Sequence, residues 1–156
     1  MQSARRFGCV LVVLMLCCMF PLTSAQVPTA PGVEIDCADK NPELDVHPLN
    51  DPTVEITCTV SNPSSFQETI SVEKEWDGLE VEMMLEDDSF ELGPGEEEDF
   101  IVTFTGQKRM SSDLSYDFTL TAIVTNVGML DWPEALATNA SGPVSYTHLT
   151  LPTTTI

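Results

Sequence analysis

Thr53-Val54-Glu55-Ile56-Thr57-Cys58-Thr59-Val60 is the stretch that decides the fold. Val54, Ile56, Cys58 and Val60 share one face of an extended chain, and Glu55, Thr57 and Thr59 take the other. That period of two suits a half-buried β-strand and leaves a helix no apolar stripe. Asn62-Pro63-Ser64-Ser65 then closes the run with turn chemistry. The same pattern recurs on both sides. Val33, Ile35 and Cys37 align upstream. Glu68 to Trp76 sets Ile70, Val72 and Trp76 against Thr69, Ser71, Glu73 and Glu75. Asp77-Gly78 reads as a hairpin turn, followed by Leu79, Val81, Met83 and Leu85 pointing inward. Phe90 and Leu92 form a short strand that stops at Gly93-Pro94-Gly95. Phe100, Val102 and Phe104 form the next, and Tyr116, Phe118, Leu120, Ala122 and Val124 line one side of the last.

Turns fall about every ten residues, and no segment carries a convincing amphipathic helix. Antiparallel sheets with one wet face give such alternation, and two of them packed face to face bury the apolar sides. The expectation is an all-β antiparallel sandwich of about seven strands over residues 26–127, with 128–143 as a linker or the start of a further region.

Both ends of the chain read differently. Arg5 and Arg6 precede an unbroken apolar run from Cys9 to Phe20. Pro21 breaks that run, and Thr23-Ser24-Ala25 offers small residues for cleavage before Gln26. Residues 1–25 are therefore expected to be a signal peptide, too short in its apolar part to span a bilayer, and the mature chain to be extracellular or cell-surface. At the other end, Val144-Ser145-Tyr146-Thr147-His148-Leu149-Thr150-Leu151-Pro152-Thr153, read as GTC TCT TAT ACA CAT CTG ACG CTG CCG ACG, resembles a translated transposon-end sequencing adapter at all ten residues. Residues 144–156 are accordingly set outside the domain as an adapter-derived artefact, with the natural chain expected to continue past Pro143 and any membrane anchor to lie in that continuation.

Gln26 to Pro143 holds all 25 acidic residues against only Lys40, Lys74, Lys108 and Arg109, a net charge of −21. Nucleic acid is excluded as a partner, because phosphate binding needs clustered Lys and Arg. An anionic membrane surface is disfavoured for the same reason. With the leader removed, Cys37 and Cys58 are the two cysteines left. An even pair in an exported domain points to a disulfide, and alternation turns both thiols inward; two buried free thiols are the alternative.

Several of these residues carry a resemblance. The order Thr57-Cys58-Thr59-Val60-Ser61-Asn62-Pro63, Trp76, Leu92-Gly93-Pro94-Gly95-Glu96 and Tyr116-Asp117-Phe118-Thr119-Leu120 resembles a prokaryotic secreted Ig-like module of the CARDB or alpha-galactosidase-associated type over about residues 45–127. Gly93 lengthens the turn, and Gln107 to Asp113 lacks the Pro and Gly usual before the last strand. The resemblance implies an Ig-like sandwich with a spacer, adhesion or interaction role. It also implies that Trp76 plugs one end of the core.

Catalysis has little to draw on. His47 precedes Pro48 in what reads as a turn, and His148 belongs to the adapter-like tail. No Gly-x-Ser-x-Gly elbow is present, and zinc needs more Cys and His than remain. Glu86-Asp87-Asp88 and Glu96-Glu97-Glu98-Asp99 lack the spaced calcium-loop pattern and read as a solvated acidic rim. No catalytic residue, metal or cofactor is assigned. Asn139-Ala140-Ser141 fits the N-glycosylation acceptor, with Asn139 as its site. The expected function is non-enzymatic, toward an unspecified protein or glycan partner; an accessory domain of a secreted hydrolase is the alternative.

Overall fold

The structure, a computed structural model, describes residues 30–108, 110–132 and 136–147. Residues 1–29, which include the expected signal peptide, and 148–156 lie outside the described residues. Ten strands follow one another: β1 (Glu34–Cys37), β2 (Glu43–Asp45), β3 (Thr53–Ser61), β4 (Glu68–Trp76), β5 (Val81–Leu85), β6 (Ser89–Leu92), β7 (Glu97–Gly106), β8 (Leu114–Val127), β9 (Leu130–Asp131) and β10 (Ala137–Thr147). No helix occurs among the described residues. One sheet has the order β1-β3-β7-β5; the other runs β2-β10-β8-β4-β6, with β9 also paired to β8. Every pairing is antiparallel except that of β2 with β10.

The two inner faces make one core. Ile56, Cys58, Val60, Phe100, Val102 and Phe104 come from the first sheet, and Ile70, Val72, Phe118, Leu120 and Val124 from the second. These are the inward residues expected from the period of two. At one end Trp76 sets its ring edge-on to Phe104 at 5.2 Å between centroids and to Tyr116 at 6.3 Å. Gly78 makes room for this, because a Cβ there would lie 1.9 Å from the indole ring.

Cys37 and Cys58 sit directly opposite each other in the β1–β3 register and are joined by a disulfide. The bond from Ala38 N–H to Thr57 O marks them as a non-hydrogen-bonded pair, the position where facing side chains approach most closely. The bridge thus fastens two neighbours in one sheet, unlike the inter-sheet bridge of antibody domains. Closing a loop across 21 positions stabilises by about 3 kcal/mol in the chain-entropy picture.

Three readings of the sequence need correction. Asp77-Gly78 does not close a hairpin: β4 and β5 belong to different sheets, and the segment crosses between them. Leu79 consequently stands 66% exposed in the crossing rather than in the core. The largest correction concerns the C-terminal boundary. Residues 128–143 are not a linker, and the sandwich does not end at Val127. β10 pairs with β8 over ten residues, from Ala137 to Tyr146. Residues 144–147, set aside as part of the tail, complete this strand, with Val144 and Tyr146 in the core. Small and turn-forming residues hid the pattern, and each has a local reason. A Cβ on Gly142 would lie 1.8 Å from the carbonyl oxygen of Lys40. Pro143 shares its strand side with Ser145, whose N–H donates to Pro42 O on the side away from β8, so its missing N–H costs the β8 ladder nothing.

Candidate functional site

His47 builds a turn, as expected: its N–H donates to Asp45 Oδ1, and its Nδ1 accepts from Leu49 N–H at 3.3 Å. Among the described residues no group of three or more His, Cys, Asp or Glu is placed to hold a metal. A concavity of about 660 Å³ lies over β4 and β8 between Lys74, Trp76, Asp77, Tyr116 and Asp117. It brings together no histidine or cysteine. The Trp76 Nε1–H is committed to Val81 O at 2.9 Å, so the indole serves the fold.

That bond has a neighbour. Lys74 Nζ donates to Met83 O, so two carbonyls on the outer side of β5 are occupied by side chains of β4. A free sheet edge invites another strand, and here it is covered. The acidic face of the same sheet is open, with Glu34, Asp36, Glu55, Glu82 and Asp99 all exposed. Lys40 lies 2.6 Å from Asp36, and its hydrogen bond and charge hold that carboxyl below the usual range.

The end of the sandwich where β3 runs into β4 is built differently. Asn62, Ser64 and Glu68 are the buried polar or charged side chains among the described residues, and all three lie in this one connection. Asn62 Nδ2 donates to Phe66 O at 2.7 Å and Leu92 O at 3.0 Å, while its Oδ1 accepts from Ser64 N–H. Its backbone holds the β6–β7 turn through Asn62 N–H to Glu96 O and Gly95 N–H to Asn62 O. Ser64 Oγ donates to Glu68 Oε1 and accepts from Phe66 N–H. Glu68 Oε1 also accepts from Gly32 N–H, tying in the chain that leads to β1. Gly128 N–H donates to Gln67 O, which sets the β8–β9 turn beside this loop; its φ of 59° is one that glycine adopts without strain.

On this support stand apolar side chains facing water: Phe66 at 39% exposure, Leu130 at 74% and Met129 at 101%. Glu97, Glu98 and Asp131 are exposed around them. Sequence reading recognised Asn62-Pro63-Ser64-Ser65 only as a turn and missed this tip. The available signal was Asn62 itself, followed by two hydroxyl residues and then an aromatic that fits neither flanking strand. The remaining sequence-assigned sites are scattered: Cys37–Cys58 lies inside the first sheet, and Asn139 is exposed on β10 opposite Thr121.

Two packed sheets, antiparallel but for the β2–β10 pair, make an Ig-like β-sandwich. The chain matches no protein-family model and no curated protein. It is similar to the ASH/PapD-like domain 7 of human CEP192, with a TM-score of 0.52 at 13% identity over 84% of this chain and 94% of that one. The alpha-2-macroglobulin of Escherichia coli activated by porcine elastase gives 0.53 at 14% identity over 74% of this chain and 9% of that one. The native conformation of the same protein gives 0.50 at 14% identity, over 75% and 7%. These likenesses define the fold.

Proposed function

We propose that this chain is an exported, non-catalytic Ig-like module that holds a protein partner, as one part of an extracellular or cell-surface protein. The observation that carries the reading is the tip, where Phe66, Met129 and Leu130 stand in water, the Phe66 loop held by the buried Asn62 amide and the β8–β9 turn tied to it by Gly128 N–H to Gln67 O. Single exposed apolar residues are ordinary, but an apolar group held on a rigid support is what a binding surface requires. The leader at 1–25 supports export. The CARDB-type pattern over about 45–127 supports a spacer or adhesion setting. Asn139, exposed on β10, would accept a glycan in a host that glycosylates.

Photo-crosslinking tests the reading. A benzoyl-phenylalanine replaces Phe66 in one sample and Glu82 in another, and each chain is irradiated on the surface of the source cells. A discrete adduct with one protein from either position supports an interaction module. Turnover of glycoside, ester or peptide substrates by the purified chain, or no adduct from any position, overturns it.

A further inference from the structure

We infer that the tip docks a protein surface that offers an apolar pocket rimmed by lysine and arginine. This deepens the interaction reading and rests on it. The argument is charge complementarity around a fixed apolar centre. Phe66, Met129 and Leu130 supply the centre, and Glu97, Glu98 and Asp131 are exposed at the same end. Among the described residues no ion pair reaches these acids. Lys74 sits six residues up β4 from Glu68, roughly 20 Å at strand rise. Lys108 follows the far end of β7, and Lys40 Nζ is held 2.6 Å from Asp36 on β1, where its charge is matched. Lys74 and Lys108 thus lie beyond the screening length of about 8 Å at physiological salt, and Lys40 is already paired with Asp36, so the acids of the tip keep their excess of negative charge.

A partner with basic residues around an apolar socket gains both terms. The apolar contact supplies affinity, and the rim sets orientation and the rate of encounter. A second copy meeting tip to tip sets acid against acid, and an anionic membrane does the same. The hydrogen bonds of Asn62 and Ser64 with Phe66 fix its loop before binding, and Gly128 N–H to Gln67 O ties the β8–β9 turn to it, which lowers the ordering cost.

The test is an amide-shift titration of the mature chain by NMR with three short synthetic peptides: alternating Leu and Lys, alternating Ser and Lys, and alternating Leu and Glu. The Leu/Lys peptide is expected to move the amides of Phe66, Gln67 and Gly128 to Leu130 saturably. Met129→Ser with Leu130→Ser weakens it about tenfold, the order expected for losing buried apolar area. Glu97→Gln with Glu98→Gln flattens its dependence on salt, and Leu49→Ser, on the loop between β2 and β3, leaves it unchanged. The inference is overturned if the Ser/Lys peptide binds equally, if the shifts centre on the acidic sheet face, or if the double serine variant binds like the parent. Met129-dependent sedimentation with zwitterionic vesicles, or Met129-dependent dimerisation, would assign the tip to a membrane or to a second copy and overturn it too. Adducts from Glu82 with a silent Phe66 would remove the tip while leaving the interaction reading standing.

Discussion

Asn62 is fully buried, and its amide still spends every group it has: two N–H bonds, to Phe66 O in its own loop and to Leu92 O at the end of β6, and one carbonyl accepting from Ser64. Asn62→Ala would strand the buried Leu92 carbonyl and the Ser64 N–H, each costing about 1–3 kcal/mol, and take from Phe66 O its shorter partner. The expected loss is about 3 kcal/mol in urea unfolding, and an unchanged midpoint would remove Asn62 as the hub of the tip. Tyr146 is the opposite case, buried with no partner for its hydroxyl. Burial first, then Tyr116 and Asp77, pushes its pKa up to about 12. A raised folded pKa means the unfolded chain releases this proton earlier, near pH 10. The contribution is therefore intact below pH 10 and is lost as pH rises toward 12, by about 3 kcal/mol if the whole shift is realised. Tyr146→Phe is expected to match or exceed the parent in stability at pH 7 and to lose the extra alkaline sensitivity. A variant less stable at pH 7 would mean the hydroxyl has a partner.

Among elements, β10 separates what the sequence displayed from what it concealed. β3, β4, β7 and β8 alternate long enough for side-chain period alone to set their inward faces. β10 alternates too, but its inner positions are Ala140, Gly142, Val144 and Tyr146, and two of those four are too small to register as core. Its smallness answers a neighbour, the Lys40 backbone, that lies about a hundred positions away in sequence and is invisible in a local window. β2 is three residues long and was equally silent. A chain stopped after Pro143 loses Val144, Tyr146 and the partner of β2, since that pairing uses Ser145 to Thr147. Val and Tyr burial alone is worth about 4 kcal/mol, a large part of the stability of a domain this size. Such a chain is expected to show lost near-ultraviolet dichroism and early urea unfolding. Appending a segment with valine and tyrosine at 144 and 146 should restore both, and one with serine at those two positions should not. If the codons past Pro143 are adapter-derived, any natural continuation that closes this sheet must meet the same requirement. A fully cooperative, equally stable chain ending at Pro143 would show that the sheet closes without it.

At the scale of the molecule, charge is the dominant fact, and it was fully legible; how the charge is distributed was not, because no local pattern tells which loops share an end. Residues 26–143 carry 25 carboxylates and only four cations. Two carboxylates about 10 Å apart in water repel by about 0.4 kcal/mol, and many such pairs accumulate to several kcal/mol against the compact state. The unfolded chain spreads the same charges and escapes most of that cost, so screening should favour folding. Raising sodium chloride from millimolar to seawater-like concentration is therefore expected to lift Tm by about 10 °C, since about 1 kcal/mol moves a domain of this size by 4–8 °C. Glu97→Gln with Glu98→Gln should raise Tm at low salt and converge on the parent at high salt, which separates repulsion from any packing change. Calcium chloride matched for ionic strength is the decisive control. If it raises Tm no further than sodium chloride, Glu86-Asp87-Asp88 and its neighbours act as a diffuse solvated rim. A larger rise that Asp87→Asn abolishes would place a cation site there, and a flat Tm across the sodium series would show that self-repulsion does not limit this fold.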